Sequence, residues 1–467
     1  MLLWLSWWNL VLALRPAFRR YRAFLWFAAV LAAFSVRGDL SGVTSFVRAL
    51  GLRQQCYDRL VDFFHSPAVV LPKRTALWTD LVLRILQPHL LTVNGRLVLL
   101  ADGIKAPKTG HKMPAVKKLH QESQNNSKPE FIFGHSCQAL AVVVKAAQSY
   151  FALPLACRSH EGLRFTNRDQ RTLMDKLLLL LKELGISLPF YFVADAYYAT
   201  GKMIRPMLQI GQHLITAVRS NAVAYEPVVA PARRGRGRPR HYGRKHRLKD
   251  LFAEPSAFTE AASPIYGEKG VTLRYRTGDL LWRPVGCLVR FVAVIHPHRG
   301  CRIFLATDLT LGPLDIIRLY GVRFKIEVAF KQAVHTVGTY SYHFWMAAMT
   351  PLPRRSGNQH LHRANDTYRA QVRRKMRAYS CHIQSGVIAQ GLLQMLSVLH
   401  AQVVWRCFGS WIRTIHPGIP PSEQVVGMAL RHSLPEFLAA GEKTSPLAKF
   451  INDRLDLARV EGLRLAA

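Results

Sequence analysis

Two stretches decide the fold: Arg96-Leu-Val-Leu-Leu-Ala-Asp102 and Phe190-Tyr-Phe-Val-Ala-Asp195. Each is a short apolar run that stops at an aspartate. A run of this length without alternation predicts a strand buried on both faces. Similar runs at 139–144, 150–156 and 213–218 predict three more strands. Residues 167–184, closed by Gly185, have the leucine-rich spacing of a helix, and a shorter helix is expected over 201–210. The order is β-β-β-α-β-α-β. It predicts an α/β fold, a mixed sheet flanked by helices, with the two aspartates ending strands one and four.

An acid placed beside an apolar run needs a reason here, because acids are scarce. Lys and Arg number 64 against 28 Asp and Glu, a formal charge of +36 over 467 residues. Self-repulsion of that size is best relieved by a polyanionic partner. A hydrophobic content of 49% excludes a disordered basic tail. The seven cysteines are odd in number and lack Cys-x2-Cys spacing, so reduced thiols rather than a zinc site are expected. The N-terminus is apolar over 1–14 and 23–36, interrupted by Arg15, Arg19, Arg20 and Arg22. Both runs fall short of the roughly 20 residues that a membrane span needs. Buried helices and no stable membrane association are expected.

Taken singly, Asp102 reads as a turn residue before Gly103 and Asp195 as a helix cap. Taken together they put two like charges at one edge of a sheet, which is costly without a cation. The third candidate is Glu327, in Tyr320-Gly-Val-Arg-Phe-Lys-Ile-Glu327. Tyr320, Arg323, Glu327 and Lys331 share a helical face over an expected helix at 313–337. A plain surface ladder of Arg, Glu and Lys has the same spacing. Asp308 also ends an apolar run, Phe304-Leu-Ala-Thr-Asp308, and is the rival third acid. Three converging carboxylates are a donor set for two Mg²⁺ ions.

With these residues in place the chain resembles bacterial insertion-sequence transposases of the DDE superfamily. It is similar to the branch with a β-rich insertion between the second Asp and the Glu and with a Tyr-x2-Arg-x3-Glu-x6-Lys motif. Tyr320, Arg323 and Glu327 match that motif; the lysine position holds Val334, and the nearest lysine is Lys331. The resemblance covers about 93–345. It implies an RNase H-like catalytic domain and metal-dependent hydrolysis and transesterification of DNA phosphodiesters at element ends. It also implies Asp102, Asp195 and Glu327 as catalytic metal ligands, with two Mg²⁺ ions for which Mn²⁺ substitutes. Tyr320, Arg323 and Lys331 are then expected near DNA. The implied partners are terminal inverted repeats and target DNA, bound by a homodimer in the bacterial cytoplasm, at the nucleoid. The alternative is a noncatalytic DNA-binding protein derived from an inactivated transposase.

Basic segments fit such a substrate. Lys105, Lys108, His111, Lys112, Lys117 and Lys118 follow Asp102 and are expected along a channel to it. Arg234, Arg236, Arg238 and Arg240 form an AT-hook-like run, the kind of Arg-Gly-Arg-Pro segment that lies in narrow minor grooves. Arg369, Arg373 and Arg377 recur every four residues on one helix face. Five regions follow: a helical N-terminal domain that suits either DNA reading or packing and dimerisation (1–92), the first part of an RNase H-like core (93–219), a basic β-rich insertion (220–302), the second part of the core (303–345), and a basic helical C-terminal region (346–467). Helices are expected near 367–379 and 387–408 in the last.

Overall fold

The computed structural model describes residues 1–121, 129–228, 240–409, 414–441 and 445–458. In chain order, α1 (Leu2–Leu12), α2 (Tyr21–Val36), α3 (Thr44–Ala49), α4 (Cys56–His65) and α5 (Leu71–Ile85) come first. A short strand β1 (Thr92–Val93) turns at Asn94-Gly95 into β2 (Arg96–Pro107). Both turn residues have positive φ, 48° and 70°, as a tight hairpin turn requires. Then come β3 (Lys117–His120), β4 (Phe131–Ala146), β5 (Ser149–Ser159), β6 (Leu163–Arg164), α6 (Leu173–Glu183), β7 (Phe190–Ala194), α7 (Gly201–Gln209) and β8 (His213–Val218). Strands β9 (Val223–Tyr225), β10 (Lys245–Arg247), β11 (Thr259–Ala262), β12 (Thr272–Trp282), β13 (Cys287–His296) and β14 (Gly300–Ala306) follow. The chain ends with α8 (Pro313–Val322), α9 (Phe324–Gln332), β15 (Gln359–His360), α10 (Asp366–Leu399), α11 (Ala401–Phe408), α12 (Glu423–Ala439) and α13 (Pro446–Asn452). The expected β-β-β-α-β-α-β order is present along the chain, as β2, β4, β5, α6, β7, α7 and β8, and the fold is α/β with mixed strand pairing and flanking helices.

The chain forms two compact units. One comprises residues 91–102 and 187–327. Its sheet begins with β2, which runs parallel to β7, and β7 runs parallel to β8. Beyond β8 the pairing turns antiparallel, through β14, β13 and β12. The central strands are covered on both faces: all five residues of β7 are buried. Their unbroken apolar sequence follows from that burial.

The other unit comprises residues 1–90, 103–186 and 328–467. Here β3, β4 and β5 pair antiparallel. Helices α1 and α2 bury most of their apolar residues, including Trp4, Trp7 and Phe27. No single described helix is long and apolar enough to cross a membrane.

α10 departs from expectation. It is one helix of 34 residues, where a break was expected around 380–386. The polar run Ser380-Cys-His-Ile-Gln-Ser-Gly386 suggests a loop, yet its side chains are buried and partnered. His382 Nδ1 meets the Thr339 carbonyl at 3.1 Å. Gln384 donates to Leu155 O at 2.9 Å, and Ser385 to Cys381 O at 2.8 Å. With these groups partnered, burial costs less and the helix continues. It breaks at His400, where the axis bends by 103° into α11.

Candidate active site

The site is built by strand register. Ala101 of β2 pairs with Ala194 of β7, so Asp102 and Asp195 are the next residues on adjacent parallel strands. Neighbouring strands lie about 4.8 Å apart. Asp102 does not end its strand, because β2 continues to Pro107; the Asp-Gly turn reading is therefore replaced by an extended one. Asp195 follows the last residue of β7 and caps a short 3₁₀ turn, accepting the Tyr197 N–H at 3.0 Å. Its main-chain carbonyl accepts from Thr216 Oγ1 at 2.7 Å, which ties it to β8.

Glu327 comes from α9. The expected helix over 313–337 is present as α8, then α9, then a single wide turn at Ala333–Val337 that stops at Gly338 with φ 71°. Ile316, Leu319 and Ile326 are buried and seat these helices. Arg323 lies between α8 and α9. One guanidinium nitrogen donates to Asp102 Oδ2 at 2.9 Å and the other to Glu327 Oε1 at 2.8 Å. The Arg323 side chain is 16% exposed, Asp102 18% and Glu327 44%. Burial alone would lower the Arg323 pKa; its interactions with Tyr320, Asp102 and Glu327 outweigh that and hold it raised. Tyr320 stacks at a tilt on Phe304, ring centroids 4.6 Å apart. Burial pushes its phenol up, Arg323 opposes that, and Asp195 adds to it.

Asp308 is elsewhere. β14 is antiparallel to β8, so its end lies at the start of the parallel strands, while Asp102 and Asp195 follow the last residue pair of the parallel β2–β7 ladder. Asp308 is buried and accepts from Tyr191 Oη at 2.7 Å, Thr310 Oγ1 at 2.6 Å and Thr310 N–H at 2.9 Å. Burial would raise its carboxyl, but these hydrogen bonds hold it below the ordinary range. Its donors come from the protein, and the topology sets it apart from the other acids.

Carboxylate oxygens are the donors that Mg²⁺ prefers, and two on adjacent strands suit it. Asp102 and Asp195 fit such an ion. Glu327 is linked to Asp102 through Arg323, and among the described residues no group of three His, Cys, Asp or Glu is gathered closely enough to hold a metal.

The lysines after Asp102 differ from the expected channel. Lys108 is buried, donates to the Tyr340 and Tyr342 carbonyls, and lies over the Tyr342 ring. Burial pushes its pKa down to about 7. Lys117 pairs with Glu161 at 3.0 Å, and Lys105 donates to His120 O at 2.6 Å. These are internal contacts of one unit. Lys331 is exposed in the last turn of α9, and Val334 is 36% exposed. Arg240 is exposed, whereas Arg234, Arg236 and Arg238 lie outside the described residues. The Arg323 fork between two acids was missed from sequence; the three-and-four spacing pointed to its Glu327 half only.

No curated protein matches the sequence. Among solved structures, a piggyBac transposase synaptic complex with hairpin DNA is similar at 12% identity and a TM-score of 0.34, covering 92% of this chain and 74% of that one. The sequence profile of the DDE superfamily endonucleases matches residues 14–283, a span that contains Asp102 and Asp195 and stops before Glu327. On that match, which takes in more than half of its length, the chain belongs to the DDE superfamily endonucleases.

Proposed function

We propose that the chain is a DNA transposase of the insertion-sequence kind, which hydrolyses and transesterifies phosphodiesters at the ends of its element. The observation that carries this is the register placing Asp102 and Asp195 side by side, just past the last residue pair of the parallel β2–β7 ladder, with Arg323 linking Glu327 to Asp102. The family match and the charge of +36 support DNA as the substrate. Asp102 and Asp195 would hold Mg²⁺, with Mn²⁺ able to substitute, and Glu327 would join them once Arg323 releases it. A metal held by Asp102 and Asp195 would supply a lowered pKa for water or a DNA 3′-hydroxyl and charge stabilisation for the leaving oxygen. Arg323, freed from the acids, carries a positive charge toward phosphate. Terminal repeats are paired by a homodimer, in the cytoplasm at the nucleoid.

A second reading keeps DNA and drops catalysis: a DNA-binding protein derived from an inactivated transposase. The guanidinium between Asp102 and Glu327, where a cation would otherwise be needed, favours it. One experiment separates the two. Wild type, Asp102→Asn and Asp195→Asn are incubated with terminal-repeat DNA and Mg²⁺ or Mn²⁺. Nicking by wild type alone, with DNA affinity kept in both variants, supports the enzyme, since the variants lose metal ligation and no phosphate contact. Absence of nicking by wild type supports the second reading, and nicking by either variant overturns the assignment of the acids.

A further inference from the structure

We propose that a basic groove between the C-terminal end of α4 and the first turns of α10 binds the phosphate backbone of duplex DNA, as a second contact surface apart from the acids. It rests on the reading of DNA as the substrate.

The groove is a cavity of about 570 Å³ lined by Asp62, His65 and Ser66 from one side and by Arg373, Arg374 and Arg377 from the other. All three arginines are exposed, and among the described residues none is paired with a carboxylate. The opposite face of α10 is anchored: Val372 is buried with Met346, Met349 and Leu361, and Tyr368 and Met376 pack against them. The helix therefore cannot roll to spread its arginines. The Arg373 guanidinium lies over the Phe165 ring, 4.9 Å from the centroid, which fixes its direction.

A fourth cation borders the groove. His65 Nδ1 is 2.9 Å from the Val61 carbonyl and so carries the proton. Its Nε2 then accepts from Lys375 Nζ at 3.2 Å. His65 acts as a buried neutral acceptor that orients the lysine.

The charges decide what the groove would take. Like charges four apart on a helix repel, as Arg373 and Arg377 must, at a cost of about 0.2–0.5 kcal/mol per pair. Against four cations stand the Asp62 carboxylate and the C-terminal end of α4, worth roughly half a negative charge. The balance stays near +2 to +3. Arginine forks match phosphate oxygens in pairs, and a row of arginines on one helix face suits the spaced charges of a phosphodiester backbone.

The test is the salt dependence of duplex binding by the full chain. Removing one cation from the backbone should lower the slope of log affinity against log salt by about 0.9. Arg373→Ala/Arg374→Ala/Arg377→Ala should flatten the slope by about 2–3. The same three positions changed to Lys keep the charge and should restore most of it. An unchanged slope in the alanine variant overturns the proposal. So does an equal loss in the alanine and lysine variants, which would mark a structural effect. The nicking assay is independent: nicking by wild type with an unchanged slope removes the groove and keeps the enzyme, and a flattened slope without nicking does the reverse.

Discussion

Arg323 competes with any cation for Asp102, and removing it should tighten metal binding. The guanidinium contact to Asp102 is 2.9 Å long between side chains less than a fifth exposed. A charged hydrogen bond in such a place contributes about 2 kcal/mol, more than the 0–1 kcal/mol typical of open surface pairs. The Glu327 contact, at 44% exposure of the acid, adds less. A metal that takes Asp102 must displace or share this contact. Arg323→Ala should therefore bind Mn²⁺ about thirty-fold more tightly than wild type, the equivalent of about 2 kcal/mol. Arg323→Lys, which keeps a charge but not a two-pronged fork, should fall between. Titration calorimetry on DNA-free protein reads the affinity directly. If Arg323→Ala binds Mn²⁺ no more tightly than wild type, the guanidinium does not hold the acids against a metal, and the account of the site fails at its centre.

Two further outcomes are expected. Glu327→Gln should abolish strand cleavage at unchanged melting temperature, whereas Asp308→Asn should keep cleavage and lose about 1–3 kcal/mol of stability, because a buried acceptor of three hydrogen bonds becomes partly a donor; cleavage lost in Asp308→Asn and kept in Glu327→Gln would reverse the assignment. His135 and His160 are held neutral, both pushed down to about 3 by burial, with Lys108 adding to it at His135 and Lys176 and Arg158 at His160. The unfolded chain takes up these protons near pH 6.5 and the folded chain does not, so stability should fall as pH drops from about 6.5 toward 3, by up to about 1.4 kcal/mol per pH unit for each histidine. Denaturant melts between pH 7.5 and 5 would contradict this if stability were flat or rose toward acid, and His135→Asn should reduce the slope.

Burial was legible where it was continuous. Residues 190–194 and 213–218 are the strands β7 and β8 with the bounds their apolar runs predict, because a strand covered on both faces has no polar position to blur it. Legibility failed where a partner far along the chain satisfies a polar group. Asp102 before Gly103 reads as a turn, yet β2 runs on to Pro107. Lys108 looks like a solvent cation, and only the Tyr340 and Tyr342 carbonyls, 232 and 234 residues away, explain its burial. Asn94-Gly95 is a local hairpin signal, since both residues tolerate the positive φ that the turn requires. At the candidate site, the adjacency of Asp102 and Asp195 followed from strand order alone. The Arg323 fork did not, because only three-dimensional packing brings Asp102 to the end of α8.

The first helix waits for nearly the last. Trp4 stacks on Phe437 at 5.0 Å and donates to Leu430 O across 426 residues, and Arg431 reaches back to the carbonyls of Val36 and Arg37. A ribosome adding about 5–20 residues per second needs roughly 20–85 s to deliver those partners. For that time two of the most apolar segments of the chain have been made without the surface that covers them. Their burial is therefore a late event of synthesis, and a nascent chain cut short before Leu430 presents tryptophan-rich helices to chaperones, to proteases and to its own copies.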